Sequence, residues 1–276
     1  MRFGLDVSQH QLTWNELVRR TRFAEDSGFD GAWVFDHFKA LYGDPFGPCL
    51  EGWTLLAGLA AVTERIRLGA LVTGVTYRHP SILATQAITV DHISNGRLEM
   101  AIGAAWFERE HEELGIDFPS SRERIERLEE AVTVIDLLMT TDGATFEGRH
   151  FRLSDATYNP RPVQQPRPPL WIGASGERRS IPVAARHADV WHGFGDAASL
   201  QRRMRVLEEA AEAAGRDPSE IARSTALSIS EPIDEIARRV DELQELGFDY
   251  LTVSWPGQGD AKVEDFVEKV MARFIA

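Results

Sequence analysis

Asp36-His37 is the residue pair with the most direct chemical use in this chain. A histidine titrates near neutral pH and can move a proton at a reacting centre. The adjacent carboxylate could hydrogen-bond a ligand or bias the charge on the ring. The plainer alternative is a structural histidine bonded to backbone. Gly173-Ala174-Ser175-Gly176 is a second candidate. Small residues let a ligand approach the main chain, and the N–H groups that open a helix favour a phosphate. Ser175 adds a hydroxyl, and Arg178 and Arg179 add charge. An ordinary tight turn has the same composition. Thr73-Gly74-Val75-Thr76 is either a point of backbone strain or a simple strand end. Cis non-proline bonds are too rare for physical chemistry alone to expect one there. Glu108, Glu110 and His111 offer a second acid or base, or form a solvated helix face. Trp106, Trp191 and Trp255 could line an apolar pocket for a planar ring, or pack the core.

Several chemistries are excluded by what is missing. There is no His-x-x-x-His or His-Glu-x-x-His arrangement, so no metal site is expected. There is no Gly-x-Ser-x-Gly elbow, and Cys49 has no evident histidine partner.

The elements that must position these residues alternate along the chain. Apolar runs fall at Phe3 to Val7, Gly31 to Phe35, Ile66 to Val72 and Leu98 to Ile102. Four more follow at Leu170 to Ile172, Asp189 to Trp191, Ser224 to Ile229 and Tyr250 to Ser254. Helical periodicity separates them. Thr13 and Glu16 form a capping box, Gly28 stops the first helix, and Pro80 suits the first position of another. A long helix carries Ile125, Leu128, Val132, Ile135 and Met139 on one stripe. Later helices are expected at 177–187, 197–214, 233–246 and near 261–274. Near-continuous apolar runs fit strands buried on both faces, and parallel strands need helical crossovers. The pattern therefore predicts an α/β fold, a (β/α)8 TIM barrel, with a doubly wound sheet as the rival. Gly28-Phe29-Asp30 and Gly247-Phe248-Asp249 repeat one joint before the second and eighth runs. The alternation breaks once, at about 142–169. A hairpin over 144–153 and a proline-rich connector from Pro160 to Pro169 read as an insertion before the fifth strand of one domain, 1–276. Barrel chemistry sits at the C-terminal ends of strands. That rule favours Ser8 to His10, Asp36 to Phe38, the 73–76 segment, Ala104 to Trp106, the 173–176 turn, His192 to Gly195 and Ser254 to Pro256.

The chain has 276 residues, 43% of them hydrophobic and 26% charged, an ordinary globular composition. Thirty Lys+Arg against 43 Asp+Glu give a net charge of −13, which argues against a broad nucleic-acid surface. No apolar run approaches the ~20 residues of a membrane span. Asp6 comes too early for a signal peptide, and a single cysteine fits a reducing, cytoplasmic setting.

The stretch Val72-Thr73-Gly74-Val75-Thr76-Tyr77-Arg78-His79-Pro80 resembles the luciferase-like monooxygenase superfamily, in its coenzyme F420-dependent oxidoreductase branch. The resemblance continues through Thr89 to Glu99, Gly103 to Trp106, Glu110-His111, Gly115-Ile116, Pro168 to Gly173 and Ala188 to Trp191. It implies a barrel with an insertion and a flavin-like ring at its mouth. It places Asp36 and His37 beside the ring, with His37 moving the proton. It implies a cis bond at Gly74–Val75 forming a bulge behind the ring, with Thr73 on the ring's polar edge. Ala104 and Trp106 would flank the ring, and Gly173, Ala174, Ser175 and Gly176 would cradle the phosphate. Some sugar-phosphate-oxidising relatives carry Glu near the Trp106 position, so that substrate class is in doubt. The implied activity is hydride transfer between the deazaflavin F420 and a small organic substrate. An FMN-dependent monooxygenase is the first alternative, and a non-catalytic flavin-binding barrel the second. Family members are often dimers, which leaves a homodimer open.

Overall fold

The computed structural model describes residues 1–274. Strand β1 (Arg2–Asp6) leads to helix α1 (Trp14–Asp26), β2 (Gly31–Val34), α2 (Gly52–Ala61) and β3 (Arg67–Ala70). A two-residue strand β4 (Thr73–Gly74) precedes α3 (Pro80–Ser94) and β5 (Leu98–Gly103). Helices α4 (Glu108–Leu114) and α5 (Ser121–Thr140) follow, then the hairpin β6 (Ala144–Glu147) and β7 (Arg152–Ala156). The remaining units are β8 (Leu170–Gly173), α6 (Ser180–His187), β9 (Val190–Gly193), α7 (Ala197–Ala213), β10 (Ala222–Leu227), α8 (Ile233–Glu245), β11 (Tyr250–Ser254) and α9 (Asp260–Lys269).

Eight parallel strands close on themselves in the order β1, β2, β3, β5, β8, β9, β10, β11 and back to β1. The expected (β/α)8 barrel is therefore the fold, and the doubly wound rival is excluded by closure. The two repeated joints are alike in detail. Gly28 and Gly247 both have positive φ, 82° and 90°. Phe29 N–H then donates to Ala24 O and Phe248 N–H to Leu243 O, each at 3.0 Å. These bonds stop the helix and aim the chain into the next strand. The Thr13 hydroxyl accepts from Glu16 N–H as a cap, but the Glu16 carboxylate pairs with Arg19 and Arg20 instead of completing the box.

The barrel interior is filled by Trp33, Trp171 and Tyr250, all about 1% exposed. Trp33 Nε1 donates to the Tyr250 hydroxyl at 3.0 Å, and Trp171 Nε1 donates to Glu99 at 2.6 Å. Glycines make the room. A Cβ on Gly4 would lie 2.3 Å from Trp33 Nε1, and one on Gly69 2.4 Å from the Trp33 ring. The proline-rich connector is caught beneath this plug. The Gln164 amide donates to Asp91 and to Leu98 O at 2.8 Å, and its oxygen accepts from Arg67.

The non-proline cis bond is at Leu71–Val72, and the expectation of Gly74–Val75 is corrected. The register explains the position. Gly69 pairs with Glu99, and Thr73 pairs with Ile102. One strand thus advances four residues while its neighbour advances three, so the extra residue falls between Gly69 and Thr73. Gly74 and Val75 are already back in the ladder, with Val75 N–H donating to Gly103 O at 3.0 Å. The bulge brings Val72 against Gly103 and Gly173, where a Cβ would sit 2.8 and 3.0 Å from its methyl groups.

Gly69→Ala should cost about 1–3 kcal/mol, because neither the Trp33 ring nor the Glu99 carbonyl 2.8 Å away has room to yield. Thermal denaturation checks this. An unchanged Tm would mean the aromatic plug is not tightly packed.

Candidate active site

A cavity of about 940 Å3 occupies the barrel mouth, lined by residues at or just beyond the C-terminal ends of the strands. His37, just after β2, is 8% exposed and opens onto it. Its Nδ1 lies 2.8 Å from Glu110 Oε2. The other Glu110 oxygen accepts from Phe38 N–H at 2.9 Å and Lys39 N–H at 3.2 Å. The Tyr77 hydroxyl donates to Glu110 Oε2 as well. Nδ1 of His37 therefore carries a proton toward the carboxylate, which leaves Nε2 for the cavity. Burial alone would raise the Glu110 carboxyl, but the bonds from His37 and Tyr77 hold it below its ordinary value. Burial, and then Glu110, push the Tyr77 phenol well above its usual value, so it stays a donor.

Glu110 and His111 are both fully buried, so the solvated-face alternative fails for them. His111 Nδ1 donates to Phe107 O at 2.9 Å, and its Nε2 accepts from Thr76 Oγ1 at 2.7 Å. The Tyr77 ring stacks on it at 4.8 Å. Helix α4 is thereby locked to the segment after β4.

Three expected site residues do not line the cavity. Asp36 is fully buried and holds Arg78 through two bonds, at 2.5 and 2.9 Å. Burial pushes its carboxyl upward, and Arg78 works against that. Arg78 also pairs with Glu51, which caps α2 through Trp53 N–H and Thr54 N–H. Asp36 thus anchors the turn that carries His37. Thr73 is fully buried and accepts from Trp53 Nε1 at 3.0 Å, so its hydroxyl is turned toward α2. Val75 is 4% exposed and belongs to the core. Gly74, Ala104, Trp106, Gly173, Ala174, Ser175 and Gly176 do line the cavity, together with His37. Trp106 stands at the rim, 63% exposed. Trp191 lies behind the 173–176 turn, where its Nε1 donates to Ala174 O at 2.9 Å. Gly176 N–H donates to Ser180 Oγ at 2.9 Å, and because α6 begins only at Ser180, the expectation that the 173–176 turn opens a helix is corrected.

Arg178 and Arg179 are exposed and outside the lining, and Arg109 pairs with Glu113. The arginines of the cavity are Arg20 and Arg124. Arg124 is held by Ala104 O at 3.1 Å and Pro119 O at 2.5 Å, and lies over the Phe118 ring at 3.8 Å. Asp6, His10 and His192 also line the cavity; His10 and His192 follow strand ends as expected, and Asp6 escaped sequence reasoning. Among the described residues, no group of His, Cys, Asp and Glu is placed to hold a metal, and no helix is long and apolar enough to cross a membrane.

The family model for luciferase-like monooxygenases matches residues 1–231. The chain belongs to this family. An F420-dependent glucose-6-phosphate dehydrogenase of Microbacterium testaceum is 30% identical over 248 residues, 89% of this chain and 66% of that protein. The enzyme of the same name from Kineococcus radiotolerans is 32% identical over 235 residues, 83% of this chain and 68% of that protein. This chain thus spans about two thirds of the length of these curated relatives. Among solved structures, an F420-dependent secondary alcohol dehydrogenase in complex with an F420-acetone adduct superposes with a TM-score of 0.88 at 19% identity, covering 98% of both chains. An F420-dependent tetrahydromethanopterin reductase from Methanopyrus kandleri gives 0.86 at 18%, covering 99% of both. A Streptomyces bottropensis monooxygenase gives 0.81 at 20% over all of both chains. At these identities the superpositions establish the shared barrel.

His192 gives this luciferase-like family member an acid-sensitive site wall. Burial lowers its imidazole from 6.5 to about 3, and its Nδ1 bonds Ser224 Oγ at 3.0 Å. Below pH 6.5 the unfolded chain takes a proton that the folded site refuses. Stability from this group is complete above pH 6.5 and falls by about 1.4 kcal/mol per pH unit toward pH 3. His192→Gln should therefore show a shallower loss of Tm between pH 6.5 and 4.5 than the natural chain. Parallel Tm–pH curves would refute the neutral, buried histidine.

Proposed function

We propose that this chain is a coenzyme F420-dependent oxidoreductase that exchanges a hydride with a small organic substrate in the barrel mouth. The observation that carries the reading is the buried Glu110–His37 pair presented at the edge of a 940 Å3 cavity. The names of the relatives, F420-dependent dehydrogenases in this family, support it. The residues fit such a group. Gly173 and Gly103 lie against Val72, so side chains there would intrude on the bulge, and the small residues at 173–176 leave the main chain open to a ligand. That turn would hold the phosphate through the Ser175 hydroxyl and main-chain N–H, because Ala174 N–H and Gly176 N–H already donate to His192 O and Ser180 Oγ. Arg124 would meet the anionic tail. Gly74, Ala104 and Trp106 would flank the ring. When bound, the deazaflavin supplies the hydride-accepting or hydride-donating carbon.

The protein's part is orientation and proton transfer. Glu110 fixes Nδ1–H of His37, and Nε2 gives or takes the substrate proton. Tyr77 remains a donor to Glu110 and so keeps the carboxylate fixed. Asp36, with Arg78, holds the backbone turn from which His37 projects, and the 1–276 chain acts as one barrel domain. Its one cysteine suits the reducing cytoplasm. A homodimer belongs to the same reading. Helix α3 leaves Ile82 58% exposed and Ile93 outward, an apolar stripe that a second copy would cover.

Fluorescence titration with F420 and with FMN separates the cofactors. F420 should bind, and Arg124→Ala should weaken it with a reduced salt dependence. Tight FMN binding without F420 binding would overturn the reading in favour of a flavin monooxygenase. His37→Ala should keep F420 affinity but lose about 100-fold or more in turnover. Turnover at the natural rate would remove His37 from the mechanism, and failure of both cofactors to bind would sink the enzyme assignment.

A further inference from the structure

The β1–β11 side of the cavity is chemically unlike the rest. Asp6 and Ser254 are register partners on adjacent parallel strands, so their side chains project together at the mouth. Asp6 is half-buried and lines the cavity. Both of its protein bonds come from Ser8 and both go to Oδ1, from N–H at 2.9 Å and from Oγ at 2.5 Å. Among the described residues nothing donates to Oδ2 and no cation pairs with the carboxylate. A carboxylate has about four acceptor positions, so half of its capacity is left for a ligand. The lining also includes Arg20, whose guanidinium lies 4.3 Å over the ring of Trp255, the residue after Ser254, while its Nε bonds Glu16.

We infer that Asp6, Ser8, Ser254, Arg20 and Trp255 form a subsite for the hydroxyls of a neutral, polyhydroxylated substrate. The inference rests on reading the cavity as an oxidoreductase site and adds the substrate class. A planar carboxylate and a planar guanidinium each offer two polar positions that suit vicinal hydroxyls, serine hydroxyls both give and accept, and an indole faces the C–H groups of such a molecule. Other ligand classes fit less well. A phosphate would gain Arg20, already engaged by Glu16, but would face the Asp6 carboxylate, which no protein cation pairs. An amine would meet Arg20 in the same wall. Burial pushes the Asp6 carboxyl above its ordinary value, with the Ser8 bonds acting the other way, so added donors here would stabilise its ionised form.

The test is calorimetric binding of four probes to the full chain, with and without F420: D-glucose, D-glucitol, glucose 6-phosphate and glucamine. The neutral probes should bind more tightly than glucose 6-phosphate and glucamine. Asp6→Asn should weaken the neutral probes about 10- to 100-fold, the scale of a charged hydrogen bond, and leave F420 affinity unchanged. Ser254→Ala, which removes only a hydroxyl, should weaken them less and guards against misfolding of the first variant. Tighter binding of glucose 6-phosphate or of glucamine overturns the inference, as does failure of both neutral probes to bind. Loss of F420 binding in the natural chain instead counts against the cofactor reading, and the probe arms without F420 still decide the subsite.

Discussion

The Glu110 carboxylate is the contact on which the rest of the mouth depends. It is fully buried and accepts from the His37 ring, from two backbone N–H groups after β2, and from Tyr77 after β4. Leaving such a group unpaired would cost several kcal/mol, so the three segments are compelled to converge. Once they converge, the orientation of His37 is no longer free. A second buried pair, Asp36–Arg78, holds the same turn from behind. Two carboxylates next to one histidine therefore divide the work. One addresses the ring and the other addresses the backbone that carries it.

Below this layer the constraint is steric. Three large aromatic side chains fill the barrel, and glycines on β1, β2 and β3 give them space. The bulge between Gly69 and Thr73 sits above the plug and presses Val72 toward Gly103 and Gly173. The cavity thus has its shape because small residues on two strands face a branched one on a third. Changing any of the three alone would create a clash or a gap.

Much of this was legible in the sequence, for physical reasons that differ by element. Strands buried on both faces leave continuous apolar runs, so the barrel could be counted. Gly28 and Gly247 mark the same joint because only a residue tolerant of positive φ ends those helices cheaply. His37 could be singled out because it follows a strand end. Glu110 could not be ranked above a solvated face, because α4 reads Glu-Arg-Glu-His-Glu-Glu-Leu and its buried side is polar. The direction of Asp36 and Thr73 was hidden too, since it is set by Arg78 and Trp53, distant in sequence. The bulge was misplaced because its position depends on comparing register between two strands, which no single stretch of sequence contains.

The aromatic plug has a consequence for timing. Trp33, Trp171 and Tyr250 close the floor, so the cavity has its opening on the side where Trp106 stands. A blind chamber of this kind imposes an order of traffic. Whatever binds deepest must arrive first and leave last, and whatever binds nearer the rim blocks its exit. The same side chains that give the barrel its rigidity would therefore make any two ligands sharing this mouth depend on one another for entry and exit.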